Sequence, residues 1–174
     1  MALQCSSGLR NAQGGSMGIR IRKARKSDLK AVVALIPRLR AFGSQWLRPD
    51  DSLDHAESEA IANAITSLPE GGVVFVAESP SLAGGVAGFA YAETSTDYFT
   101  RETHGHLAII AVHGEAEGTG VGRKLLEAVE EWSAARGYRF ITLNVFAQNE
   151  RARKVYERAG YSPDTLRYAK KLKS

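Results

Sequence analysis

The chain has one cysteine, Cys5, in 174 residues. An internal disulfide and a cysteine-built zinc site are both excluded, and the scarcity suits a reducing compartment, so a cytoplasmic location is expected. Long apolar runs are missing too: no stretch approaches the roughly 18 residues that a membrane-spanning helix needs, and no membrane partner is expected. The first sixteen residues, MALQCSSGLRNAQGGS, lack the apolar core of a secretory signal. Their Gly, Ser, Asn and Gln content reads as a disordered leader over residues 1–16, ahead of a single domain over residues 17–174. A chain of this length holds one full core and is too short for two ordinary domains. Basic residues gather at Arg20 to Lys26 and Lys170 to Lys173 without interleaved aromatic rings on which bases would stack. They read as solvated charge, and nucleic acid is not an expected partner. The net charge of +4 does suit an anionic ligand.

Glycine is not scarce, and three glycines are placed informatively. Gly118, Gly120 and Gly122 lie in VHGEAEGTGVGRKLLEAVEEWSAAR, which runs from the end of an apolar strand into an amphipathic helix. Residues without a Cβ can turn successive N–H groups toward an anion, and the helix adds its unpaired first-turn donors and the positive end of its dipole. Two phosphate-binding patterns fail on spacing. A Walker loop requires Lys and then Ser or Thr after its last glycine, whereas Arg123 and Lys124 follow Gly122; a dinucleotide fingerprint requires G-x-G-x-x-G directly after the strand.

Periodicity orders the rest. Ile19 to Ala24 alternates as a half-exposed strand, and Ser27 offers an N-cap to a helix that Pro37 should interrupt. A second helix over about Leu53 to Ser67 carries Ala56, Ala60, Ile61, Ala64, Ile65 and Leu68 as its apolar side. Val73 to Glu78 and Val86 to Glu93 read as an antiparallel hairpin, followed by a polar loop with Tyr98 and Phe99 and a buried strand from His106 to Val112. After the glycine turn, a helix with the stripe Val121, Leu125, Val129 and Trp132 closes at Gly137. A strand over Phe140 to Phe146, a short helix from Asn149 to Ala159 and a last strand within Leu166 to Leu172 complete the chain. Pattern alone gives a mixture of α and β.

Two motifs together are more specific. Glu117-Gly118-Thr119-Gly120-Val121-Gly122 resembles the coenzyme A loop [QR]-x-x-G-x-[GA] of the GNAT superfamily of N-acetyltransferases except at its first position, and Asn149 to Tyr161 is similar to that family's N-x-x-A-x-x-x-Y-x-x-x-G-[FY]. The resemblance covers residues 19 to 172. It implies an α/β (α+β) fold with a central, mixed but mostly antiparallel twisted sheet flanked by helices, in the order β-α-α-β-β-β-α-β-α-β. It implies an enzyme using acetyl-CoA as co-substrate, without a metal, to acetylate a primary amine directly. Coenzyme A would meet Ala111, Val112, Glu117, Gly118, Thr119, Gly120, Val121, Gly122, Arg123, Lys124, Asn149, Ala152 and Tyr156. The backbone N–H of Val112 would polarise the acetyl carbonyl, where pairing between strands ending at Val112 and Val145 splays. The Tyr156 hydroxyl would protonate the thiolate; as a phenol near pKa 10 it keeps its proton at neutral pH. Asn149 has an equal reading as an N-cap. Glu117 puts a carboxylate in an anion site, with Arg123 and Lys124 expected to offset it.

The base that deprotonates the amine is not marked by any motif. Glu93 is the first candidate and His106 the second, with His104 and Asp97 in a loop able to reach the site. Asp50, Asp51, Asp54, Glu93 and Asp97 are candidates for an acidic mouth, and Trp46, Tyr91, Tyr98 and Phe99 for its walls, within a region where Phe42 to Asp51 lines the acceptor pocket of the resembled family. The acceptor class stays open among a polyamine, an aminoglycoside-like amine, an amino acid derivative and a protein amino group. A non-catalytic acetyl-CoA sensor would need the same cradle. Tyr161 to Leu172 is a segment able to pair or swap between subunits, which would make a homodimer.

Overall fold

A computed structural model of the chain describes residues 19–172 apart from 44–46, 48, 49, 68 and 69. The leader expected over residues 1–16, and Trp46, lie outside the described residues. Five strands form one sheet in sequential order: β1 (Arg20–Lys23), β2 (Gly72–Glu78), β3 (Val86–Thr96), β4 (Thr103–Val112) and β5 (Ile141–Leu143). The first four are antiparallel neighbours, while β5 runs parallel to β4. That parallel step is carried by helix α3 (Val121–Ala135), since parallel neighbours need a long crossover. Helices α1 (Leu29–Val33) and α2 (Asp50–Thr66) precede β2, and α4 (Glu150–Arg158) follows β5. Among the described residues, no helix is long and apolar enough to cross a membrane.

Alternation along the strands splits the core in two. On one face Val74, Val76, Phe89, Tyr91, Ile109 and Ala111 pack against Val32, Leu35 and Ile36 and against Ile61, Ala64 and Ile65 of α2. On the other, Ala87, Ala90, Ala92 and Leu107 meet Val121, Leu125, Leu126 and Val129 of α3, with Tyr156 and Tyr161 at the margin. Gly105 is required by this second packing, because a Cβ there would lie 2.3 Å from the Ser133 Oγ of α3.

Several expectations are corrected. The expected strand from Leu166 to Leu172 does not form: residues 161–172 carry no regular structure, and Leu166, Tyr168 and Leu172 are all more than three-quarters exposed. Its alternation fits a strand, but no sheet edge engages it. The strand expected over Phe140 to Phe146 is confined to Ile141–Leu143. Ser27 is not an N-cap but lies inside a 3₁₀ turn over Lys26–Asp28, entered at Arg25. Ala56 and Ala60 are exposed; once Ile61 and Ile65 dock, the i−4 and i−8 positions bring Glu57 and Leu53 to that side instead. Pro37 acts as expected: α1 stops at Val33 and a 3₁₀ turn over Ile36–Arg40 takes over.

Arg22 is also not solvated. Its guanidinium donates to both Asp28 carboxylate oxygens, at 2.6 and 3.0 Å, and to Glu78 on β2, while Asp28 accepts the Arg25 N–H at 2.7 Å. The pair ties β1 to β2 and to the entry of α1, and the Arg22 hydrogen bonds hold the Asp28 carboxyl below its usual value. A depressed carboxyl stabilises the fold above its unfolded value, near 3.9, and loses that contribution as pH falls through the lower folded value. Asp28→Ala is therefore expected to lower stability by about 3 kcal/mol in urea unfolding at pH 7, with the difference from the parent shrinking below about pH 4.

Candidate functional site

β4 and β5 pair at Gly105↔Ile141, His106↔Thr142 and Leu107↔Leu143, and then part. On the other side of β4 the ladder with β3 continues to Gly88↔Val112, with a register shift between Tyr91 and Ala92 that leaves Ala108 unmatched as a bulge. From Ala108 to Val112, β4 thus has a neighbour on one side and an open edge on the other. His113 donates its N–H to Ala87 O at 2.8 Å, so by alternation Val112 directs its own N–H to the open edge. The opening begins earlier in both strands than the Val112 and Val145 of the sequence reading, because β5 ends at Leu143.

The glycine turn lies at the end of this edge. Gly118 and Gly120 have φ of 76° and 88°, and a Cβ on either would meet nothing within 4 Å, so the loop surface is open and its conformation favours glycine. Gly120 is the N-cap of α3 and supplies no side-chain cap. The first α-helical bond runs from Lys124 N–H to Gly120 O at 3.1 Å, which leaves the N–H groups of Val121, Gly122 and Arg123 as first-turn donors. This is the donor set a diphosphate requires. Val121 can contribute only backbone, since its side chain is in the core. Thr119 is exposed, and its hydroxyl is taken by the turn itself, donating to Ala116 O at 2.6 Å.

Glu117 is compensated, though not by the residues expected. Arg38 reaches one carboxylate oxygen at 2.6 Å and Arg151 the other at 2.7 Å, and together they hold the Glu117 carboxyl below the usual range, Arg151 contributing most. Arg123 pairs with Glu127 instead, and Lys124 Nζ donates to Ile19 O at 3.4 Å. Arg38 is set in the 3₁₀ turn after α1 and Arg151 in the first turn of α4, so a single carboxylate joins both flanks of the splay. The same bridge brings the Asn149 to Tyr161 motif to the glycine turn. No sequence pattern pointed to Arg38; Arg151 lay inside the motif at a variable position.

Within α4, Asn149 acts as the N-cap, its Oδ1 accepting the Ala152 N–H at 3.1 Å. Tyr156 is half-buried against the α3 side of the core, its ring tilted against Tyr161 at 5.9 Å, and burial pushes its hydroxyl pKa up. On the opposite face of the sheet, Glu93 and His106 are direct partners in the β3–β4 ladder. The Tyr91 hydroxyl donates to Glu93 at 2.7 Å. Burial moves His106 below the usual imidazole value, with Glu93 opposing that shift and His104 adding to it.

Other candidates separate from the site. His104 is in β4, not in a loop, and is 5% exposed. Asp97 is consumed by its turn, accepting the N–H groups of Phe99 and Thr100 and the Thr100 hydroxyl at 2.7–3.1 Å. Tyr98 and Phe99 project there, each 80% exposed, at the far end of β4, about 30 Å of strand from Val112. Asp54 is paired with Arg40. A small pocket beside that pair is lined by Leu39, Phe42, Leu53, Glu57 and Phe146, with the Phe42 and Phe146 rings 5.6 Å apart and the Glu57 carboxyl raised by burial. A larger cavity of about 410 Å³ lies between β1, the β2–β3 loop and the turn before α3. It borders the glycine turn through Thr119 and Val121 but includes no residue of β4, β5 or α4, and its wall carries Arg20 beside Glu78 and Glu115. No metal-binding group of His, Cys, Asp or Glu occurs among the described residues.

Comparison with known proteins gives one consistent result. The model of the acetyltransferase (GNAT) family matches residues 38–161, well over half of the chain. The N-acetyltransferase YhfO of Bacillus subtilis, itself uncharacterised, is 28% identical over 145 residues, 83% of this chain and 91% of that protein. The 5-NmdU N-acetyltransferase of Pseudomonas phage PaMx11 is 45% identical over 56 residues, a match that spans 32% of this chain and 38% of that one. Among solved structures, a putative acetyl transferase from Pyrococcus furiosus superposes with a TM-score of 0.71 at 22% identity, over 89% of this chain and all of that one. The aminoglycoside N-acetyltransferase AAC(6′)-Iy in complex with CoA does so with 0.65 at 24% identity, over 89% and 96%.

Removing the Glu117 carboxylate releases two arginines beside the cradle. Glu117→Gln is expected to tighten coenzyme A about threefold to tenfold, the range that two partly exposed ion pairs can withhold. Calorimetric titration measures it, and a tenfold loss of affinity would show that the carboxylate itself supports the loop.

Proposed function

Because the chain belongs to the acetyltransferase (GNAT) family, we propose that it transfers the acetyl group of acetyl-CoA to a primary amine at the β4–β5 splay. One observation carries this reading: an unpaired β4 edge, an uncapped glycine-rich helix start and the α4 tyrosine motif converge on one opening. Acetyl-CoA supplies an activated acyl group and a thiolate leaving group. The N–H groups of Val121, Gly122 and Arg123 hold the diphosphate, with Lys124 nearby, and the glycines at 118 and 120 fit because nothing occupies the space a Cβ would take. The Val112 N–H and its neighbours on the open edge supply donors for the pantetheine arm and the acetyl oxygen, a role needing no particular side chain at Ala111 or Val112. Asn149 and Ala152 contribute by fixing the start of α4, and thereby the place of Tyr156.

Three proton movements balance the reaction. The acceptor ammonium loses a proton to Glu93, the first of the two candidates, with His106 facing it across the ladder; the free amine then forms the N–C bond as the C–S bond breaks, and the nitrogen gives up a second proton as the amide forms, which replaces the one Tyr156 passes to sulfur. Tyr156, whose hydroxyl pKa burial has raised, still holds its proton at neutral pH and hands it to the departing thiolate. The pocket with Phe42, Phe146 and Glu57 lies on the acceptor side, and its apolar wall with one carboxylate suits the methylene and ammonium end of an amine. The single cysteine supports a reducing, cytoplasmic setting.

The test is release of free thiol from acetyl-CoA with a panel of polyamines, aminoglycosides, amino acid derivatives and peptides. Tyr156→Phe and Glu93→Gln are each expected to lower kcat about a hundredfold, with acetyl-CoA affinity in calorimetry nearly unchanged. Tight binding without thiol release for every amine would replace the enzyme by a sensor of acetyl-CoA.

A further inference from the structure

Thr142 of β5 stands between two histidines. Its Oγ1 lies 2.8 Å from His106 Nδ1 and 3.1 Å from His104 Nε2. A threonine hydroxyl has one proton to donate, so one imidazole nitrogen receives it and the other donates to the oxygen. If both rings donated, the half-buried hydroxyl would have to turn its proton to solvent, and the short 2.8 Å contact would belong to a ring N–H donor.

His104 decides between the two arrangements. It is 5% exposed, stacked on Phe140 at 4.6 Å, and its Nδ1 has no hydrogen-bond partner among the described residues. If Thr142 donated to His104, the ring proton would sit on Nδ1 and leave a buried N–H unpaired. If His104 donates from Nε2, Nδ1 carries only a bare lone pair. Orphaned buried N–H groups are the rarer of the two. The distances agree, since hydroxyl donors make shorter hydrogen bonds than ring N–H donors. Thr142 therefore donates to His106 Nδ1. A neutral imidazole with no proton on Nδ1 carries it on Nε2.

We propose that Thr142, backed by His104, fixes His106 in its Nε2–H neutral tautomer, so that His106 serves the acetyl transfer as a hydrogen-bond donor beside Glu93 and leaves proton acceptance to Glu93. Thr142 and His104 are positioning residues. The titratable groups acting on His106 are Glu93 from β3 and His104 from its own strand, with Tyr91 bonded to Glu93; the β5 partner is neutral. The role in catalysis rests on the acetyltransferase reading above, whereas the tautomer does not.

Two-bond proton–nitrogen correlation spectra of the full-length ¹⁵N-labelled chain at pH 7 read the tautomer directly, with no turnover required. The expected result is a single Nε2–H form for His106 in the parent and in Thr142→Ser, and mixed tautomers in Thr142→Val, with the remaining resonances reporting that the variant is folded. In thiol-release assays Thr142→Val is expected to lower kcat about tenfold at unchanged KM for acetyl-CoA, and Thr142→Ser to restore it. An Nδ1–H form of His106 in the parent, or a Thr142→Val chain with the parent's spectrum and rate, overturns the proposal. The expected tautomer in a chain that releases no thiol leaves the assignment standing and removes the acetyltransferase reading instead.

Discussion

The parallel ladder between β4 and β5 lasts three residues. Were it longer, the backbone of residues 108–112 would be hydrogen-bonded to protein on both sides, as a central strand ordinarily is, and nothing could be accommodated there. The early end of β5 and the bulge at Ala108 leave donors and acceptors exposed along one line. The α3 crossover, which the parallel arrangement itself requires, delivers a second set of free N–H groups to the end of that line. An opening in a sheet and the positive end of a helix thus arise from one topological step.

The two faces of the sheet divide the chemistry. α3 and the margin of α4 cover one, holding Tyr156 in apolar surroundings that keep its hydroxyl protonated. The other carries Tyr91, Glu93, His106 and His104 as alternate residues of two paired strands, linked by the Tyr91–Glu93 bond and by Thr142 between the two histidines. In the transfer proposed above, Tyr156 on one side would give a proton to sulfur while Glu93 on the other takes one from nitrogen.

Strong local signals were legible in the sequence. The α3 stripe, the β2–β3 hairpin, the interruption at Pro37 and the glycine turn each follow from periodicity or from a residue whose backbone geometry is special. Long-range chemistry was less legible. Arg38 and Glu117 are 79 positions apart, and nothing in the composition of either segment marks the contact. Thr142 reads as an ordinary strand residue until the register sets it opposite His106. On α2, alanine at 56 and 60 looks like core from the pattern, yet Ile61, Ala64 and Ile65 decide which side docks and leave both exposed. Leu166 to Leu172 alternates as a strand should, yet a strand exists only when an edge accepts it.

The Glu117 bridge bears on how an anion is captured from solution. Arg38 and Arg151 share the single charge of one carboxylate, so about half of the mobile ion atmosphere that two bare guanidinium groups would attract has been displaced beforehand. A polyanion arriving at this mouth exchanges one set of negative oxygens for another and liberates few ions. Its affinity then varies less steeply with ionic strength than a basic chain with a pI near 9.3 suggests, and the cradle discriminates by the geometry of its N–H groups more than by charge.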